Sequence, residues 1–164
     1  MLSEIVIQEM LDGEEKTVSK LVEKVFDEFV APDYAPEGAV EFKRYIGPEA
    51  LINRMRDDQS FILTAKDAGK IVGVIAIRGG PHILLLFVHK DHHRLGIARA
   101  LFSAAKERSL EKSPDLERIT VNSSPFAISV YESLGFEATQ PELVINGIRH
   151  TPMACDITGE EGVT

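Results

Sequence analysis

Ile83-Leu84-Leu85-Leu86-Phe87-Val88-His89-Lys90-Asp91-His92-His93-Arg94-Leu95-Gly96-Ile97-Ala98-Arg99-Ala100-Leu101 is the stretch from which the rest of this 164-residue chain can be read. Its first six residues are apolar without alternation, as in a strand covered on both faces. Apolar and small side chains at Ile97, Ala98, Leu101, Phe102 and Ala105 then recur at helical spacing and predict a helix reaching about Lys112. Between strand and helix lies a short polar turn ending in Arg94-Leu95-Gly96-Ile97-Ala98. The first N–H groups of a helix have no partner within it and carry the positive end of its dipole, so an anion is favoured beyond that terminus. Gly96 and Ala98 let a phosphate come close to the main chain, and Arg94 and Arg99 add positive charge. The same five residues also suit a plain strand-to-helix turn, and only their context separates the two readings.

In that context the sequence resembles the GNAT superfamily of N-acetyltransferases. Val88, with Gly96 eight residues on and Ile97, Ala98 and Leu101 behind it, is similar to the family's acetyl-coenzyme A motif, Q/R-x-x-G-x-G/A. His93 stands where Gln or Arg is usual. Downstream, Ser124-Pro125-Phe126-Ala127-Ile128-Ser129-Val130-Tyr131-Glu132-Ser133-Leu134-Gly135-Phe136 resembles N-x-x-A-x-x-x-Y-x-x-x-G-F, with Ser124 in place of Asn. The resemblance implies an α/β chain with the GNAT fold: a mixed, mostly antiparallel sheet with a central splayed pair of parallel strands, flanked by helices. It also implies acetyl-CoA as acyl donor and an amine acceptor, either a small molecule or a peptide. Dimers are common in the family, so a homodimer is open to this chain.

Composition supports one domain over residues 1–158 and an acidic, flexible tail over 159–164, with 44% hydrophobic and 27% charged residues overall. No span has membrane length, no basic segment with a long apolar run opens the chain, and the single Cys155 excludes an internal disulfide, so a cytoplasmic address is expected. A net charge of -8 argues against a nucleic-acid partner, whose phosphates are met with Lys and Arg, and is compatible with a cationic acceptor. It also suits a solvated, soluble surface.

Taken in order, Ile5-Val6-Ile7 predicts a strand and Asp12-Gly13-Glu14-Glu15 the cap of a helix whose apolar face is Val18, Leu21, Val22, Val25, Phe26 and Phe29. Pro32, Pro36 and Gly38 are expected to break the pattern around an exposed segment, with short helices near Val40–Ile46 and from Pro48 through Leu51, Ile52 and Met55. By resemblance this region shapes the acceptor pocket, and Tyr34, Phe42, Tyr45 and Met55 are candidates to line it. Phe61–Lys66 and Ile71–Arg78 form a hairpin about Asp67-Ala68-Gly69-Lys70. The long helix is followed by a strand from Arg118 to Asn122, giving a parallel crossover with a ligand site at the strands' carboxyl ends. Ser124 is read as a helix cap with Pro125 at the first position and Gly135 as the stop; Asn146-Gly147 turns a last hairpin.

Acetyl transfer to an amine requires a neutral amine, stabilisation of an oxyanion and a proton for the leaving thiolate. The resemblance makes Tyr131 the general acid and places the oxyanion on a backbone N–H near Phe87 or Val88. Asn122 and Ser124, at the end of the facing strand, are suited to bond the amides of the pantetheine arm, while turn and cap chemistry explains them equally well. His93, Arg94, Leu95, Gly96, Ile97, Ala98 and Arg99 form the expected coenzyme cradle, with His89 and Lys90 near its phosphates. His82 coincides with the glutamate base of the family's histone-acetylating members, and neutral imidazole accepts a proton at pH 7; a solvated histidine at a strand start fits the same residue. His89, His92 and His93 share a short turn rather than one helical face and come without cysteine, so no metal site is expected. Cys155 reads as a small buried strand residue. The rival to an enzyme is a non-catalytic acyl-CoA-binding sensor or interaction module of the same fold.

Overall fold

The apolar runs of the sequence become strands of one sheet, and the 3.6-residue patterns become the helices that cover it. The computed structural model describes residues 4–158; the tail expected from 159 lies outside the described residues. Strands β1 (Ile5–Glu9), β2 (Phe61–Asp67), β3 (Lys70–Arg78) and β4 (His82–Val88) form an antiparallel meander. β5 (Arg118–Ser123) joins β4 in parallel, and β8 (Ile148–Asp156) pairs antiparallel with β5. Two short strands, β6 (Glu137–Ala138) and β7 (Leu143–Ile145), complete the edge against β8. The fold is thus a mixed, mostly antiparallel sheet with one parallel pair inside it, as expected.

Helix α4 (Ile97–Lys112) covers one face, burying Ile97, Leu101, Phe102 and Ala105 against Leu63, Ile75 and Ile77. The short α5 (Ile128–Ser133) joins that cluster through Tyr131. On the other face α1 (Glu15–Val25), α2 (Pro36–Tyr45) and α3 (Pro48–Arg56) surround a second core in which Val18, Val22, Ile46 and Leu51 meet Ile62, Val74 and Leu85. Helix α1 does not stop at Val25 but passes through a π-helical turn, Phe26–Val30, and a 3-10 turn, Ala31–Asp33. Its entry is fixed by the carboxylates of Glu14 and Glu15, which accept from the N–H groups of Leu11 and Gly13, rather than by Asp12. Cys155 is buried in β8.

Three local readings are corrected. Gly38 does not break a helix; it lies inside α2, where a side chain would collide with the β7–β8 turn. A Cβ built there would stand 2.3 Å from the Gly147 carbonyl oxygen, so glycine permits the helix to rest on that turn. Tyr34 in the supposedly exposed segment is half-buried, while Val40 and Tyr45 face solvent. Regular α5 begins at Ile128, so Ser124 caps a turn ahead of the helix: its Oγ and its carbonyl both accept from the Ala127 N–H.

Gly38→Ala is therefore expected to destabilise the fold by roughly 1–3 kcal/mol, the usual range for overpacking. Gly47→Ala, where nothing lies within 4 Å and φ is an ordinary -63°, should stay within about 1 kcal/mol of wild type. Urea denaturation of the two variants checks the contrast.

Candidate active site

β4 and β5 touch only through His82↔Thr120 and Ile83↔Val121. Beyond those pairs β4 stays on β3 as far as Val88 and β5 stays on β8 as far as Ser123, so their inner edges part. A β-bulge marks the place: Ile77 opposes Ile83 and Ala76 opposes Leu85, leaving Leu84 as the extra residue. Ile83, Leu86 and Val88 face the α4 side, whereas Leu84, Leu85 and Phe87 face the α1–α3 side. A cleft of about 620 Å³ opens through the gap, within the range of small-ligand sites.

One end of the cleft is built from main chain. Arg94 and Gly96 both take left-handed backbone, at φ 64° and 84°, and turn the chain into α4. The first intrahelical donor is Ala100, bonded to the Gly96 carbonyl at 3.0 Å. The N–H groups of Ile97, Ala98 and Arg99 therefore have no helical acceptor, and Gly96 has no atom within 4 Å of where a Cβ would sit. The backbone and the Arg94 guanidinium, which forms no ion pair among the described residues, make this the cationic end. Arg99 also lines the cleft, but its Nη2 donates to the Ser133 carbonyl at 2.8 Å and ties α4 to the end of α5. The Leu95 side chain is 40% exposed and lies outside the cleft.

His93 lines the cleft, and its Nε2 donates to the Val88 carbonyl at 2.7 Å, bracing the end of β4. The bond requires the proton on Nε2. His93 also stands 5.3 Å from the Phe29 ring, and Phe29 is 4.9 Å from Phe126. The three rings link the π-helical turn, the Gly96 turn and the approach to α5 across the cleft. His92 faces Asp67 at 3.1 Å, and the His89 Nδ1 accepts from the Asp91 N–H, so the three histidines turn to separate partners.

Tyr131 is buried, 6% exposed, packs edge-on against Phe136 and lines the cleft. Its hydroxyl has no hydrogen-bond partner among the described residues. Burial raises its pKa above the ordinary phenol value, and the nearby Tyr34 phenol adds to the shift. Tyr34 lines the opposite wall with its own pKa pushed up to about 12 by burial. Both hydroxyls thus keep their protons at neutral pH. Asn122 and Ser124 border the cleft from the freed end of β5.

The acetyltransferase (GNAT) domain family matches residues 30–157 of the sequence. The chain belongs to the GNAT acetyltransferase family. Among solved structures it is similar in fold to the PaiA N-acetyltransferase of Thermoplasma acidophilum, solved in complex with coenzyme A, with TM-score 0.80 and 16% identity over 94% of this chain and 99% of that one. A GCN5-related N-acetyltransferase from Rhodopseudomonas palustris gives TM-score 0.76 and 21% identity over 96% and 98%. The spermidine N-acetyltransferase of Vibrio cholerae, in complex with CoA and spermine, gives 0.64 and 20% over 94% and 96%. No curated protein matches in sequence.

For this GNAT domain the structure separates residues that the sequence had grouped. Phe87, Val88, His93, Arg94, Gly96, Ile97, Ala98, Arg99, Asn122, Ser124 and Tyr131 all border one cleft. His82 does not, because at its level β4 and β5 are still paired. Its Nδ1 lies 2.8 Å from the Thr120 hydroxyl, and burial with the Arg78 charge lowers its pKa to about 4. Of the residues expected to form the acceptor wall, Tyr34 and Phe42 line the cleft, while Tyr45 and Met55 do not. Phe29, Val30, Leu84 and Phe126 line it without having been singled out for it. Phe29 had been assigned to a helix face, and the other three occupy unmarked positions of apolar or motif stretches.

A lowered pKa at His82 predicts a definite dependence on acid. Above about 6.5 the imidazole is neutral in both folded and unfolded chains, so its contribution to stability is complete. Between about 6.5 and about 4 the unfolded chain takes up a proton that the fold refuses, and stability falls with pH. Imidazole nitrogen NMR should show His82 neutral at pH 5.5, and His82→Gln should lessen the loss of stability across that window. A His82 midpoint near 6.5 would show the ring to be solvated.

Proposed function

We propose that this GNAT domain transfers the acetyl group of acetyl-CoA directly to a primary amine. The observation that carries the reading is continuity: the N–H groups that open α4 without a helical acceptor share one cleft with Tyr131, whose hydroxyl has no hydrogen-bond partner among the described residues, through the gap between β4 and β5. Acetyl-CoA is a co-substrate that supplies the acyl thioester, and the residues present fit it. Backbone N–H groups from Gly96 to Arg99, helped by Arg94, hold the pyrophosphate. The freed edges of β4 and β5, which within a sheet would be paired, present N–H and C=O groups to the amides of the pantetheine arm, with Asn122 and Ser124 beside them. Coenzyme A in the fold relative from Thermoplasma acidophilum supports this assignment.

In the transfer the amine nitrogen bonds to the acetyl carbon, and the negative charge that develops on the carbonyl oxygen is met by a backbone N–H at Phe87 or Val88. As the carbon–sulfur bond breaks, Tyr131 gives its proton to the departing thiolate and regains one from solvent. A phenol of raised pKa holds its proton across the working range but is a weaker acid for it, so the transfer is driven by the basicity that the sulfur gains as the bond breaks. His82 is a weak choice for the base: it sits off the cleft, and its low pKa removes the proton affinity near 7 that general-base catalysis favours. The attacking nitrogen, cationic once it has bonded to the acetyl carbon, loses its proton to solvent in our reading to leave the neutral amide, and His82 serves by holding Thr120 where β4 and β5 are still paired.

Tyr131→Phe keeps the ring against Phe136 and deletes the proton. Coenzyme A release in the presence of an amine should fall by roughly 10²-fold in kcat, while acetyl-CoA affinity by calorimetry stays within about threefold. Equal kcat in the two proteins would make Tyr131 a packing residue. Tight acetyl-CoA binding without release, across a broad panel of amines, would favour the sensor reading.

A further inference from the structure

The acceptor half of the cleft is the part on the α1–α3 side of the sheet, and its chemistry is narrow. Val30 of the π-helical turn, Tyr34, Phe42 of α2, and Leu84 and Phe87 of β4 line it. Phe42 stacks on Phe26 at 4.2 Å with the rings 15° apart, lies 5.9 Å from Phe87, and Tyr34 meets Phe26 edge-on at 5.4 Å. Tyr34 supplies the one polar side-chain atom among those five residues. No Asp or Glu lines the cleft among the described residues.

The acidity of the chain lies on the elements that flank this wall and not among the residues that line it. On the flanking elements Lys43 is shared by Asp27 at 3.0 Å and Glu23 at 3.9 Å, Lys90 faces Glu28 at 3.4 Å, and Arg149 is shared by Glu142 at 3.2 Å and Asp33 at 3.5 Å. Behind Tyr34 the wall is closed, since the Ala35 N–H donates to the Gly147 carbonyl at 3.0 Å and Gly38 rests on the same turn. A polyamine placed here would bury its second ammonium without a carboxylate, which is costly, whereas an aromatic or alkyl group would bury its surface against rings already packed in place.

We propose that the acceptor is a small primary amine carried on an apolar group, preferably an arylalkylamine, seated against Tyr34, Phe42, Leu84 and Phe87, and not a polyamine. This rests on the acetyl-transfer reading above. The net charge of -8, which by itself suits a cationic acceptor, comes from carboxylates that lie outside the cleft lining.

The test measures coenzyme A release from acetyl-CoA by the wild-type protein with 2-phenylethylamine, hexylamine, glycinamide and spermidine. The expected result is a kcat/KM for 2-phenylethylamine at least ~100-fold above spermidine and glycinamide, with hexylamine between. Phe42→Glu, checked for retained acetyl-CoA binding, should lower the 2-phenylethylamine value by at least ~10-fold and narrow or reverse the gap to spermidine. Spermidine or glycinamide equal to or better than 2-phenylethylamine in the wild type overturns the proposal while leaving acetyl transfer standing. Release with none of the four, despite acetyl-CoA binding, counts against the transfer reading. The apolar seat is then judged by calorimetry of 2-phenylethylamine into the coenzyme A complex: saturable binding stronger than that of spermidine upholds it, and its absence overturns it.

Discussion

Everything at the site depends on a sheet that is prevented from zipping shut at its centre. β4 and β5 share two residue pairs and then separate, each remaining bonded to its outer neighbour. Backbone groups left unpaired inside a protein must find other partners or remain wet, so a gap at this position is a standing demand for a hydrogen-bonding ligand of extended shape. The bulge at Leu84 adds a second effect. By placing Leu84 and Leu85 on the same face it re-aims the rest of β4, so that Val88 points to the α4 side and Phe87 to the acceptor side. The α4 terminus then supplies an anion site at one end of the gap, and the aromatic wall supplies an apolar one at the other.

Much of this was legible because the sequence signals were local. A strand covered on both faces, a glycine turn and a helical period can be read within 83–112, and the left-handed Gly96 is what such a turn needs. Asn146-Gly147 and Ala68-Gly69 likewise take positive φ at both central residues of their turns, as two-residue hairpins favour. What escaped was long-range. An unbroken apolar run hides a bulge, because every register places apolar side chains on both faces. Gly38 resembles a breaker unless the turn at Gly147 is known to lie on it. His82 counts correctly from Val88, yet the count cannot tell whether the strands have already parted at that height.

The site also shows how little total charge says about a pocket. Carboxylates give the chain its overall sign, but around the cleft they are engaged by Lys43, Lys90 and Arg149 at the surface, where such pairs contribute modestly to stability. The interior wall is uncharged because the side chains that line it, Val30, Tyr34, Phe42, Leu84 and Phe87, carry no charge. The cleft is cationic at the α4 terminus, where we propose the coenzyme's phosphates, and apolar at the wall proposed for the acceptor, a division by chemistry that composition averages away.

The central claim is that the parted strands and the α4 terminus together hold the coenzyme, and hydrogen exchange at individual amides tests it most directly. With coenzyme A bound, the account predicts slowed exchange at the amides of residues 95–99 and along the freed edges at 84–88 and 122–124, with the β7–β8 turn unchanged. Coenzyme binding that leaves those amides exchanging as in the free protein would contradict it.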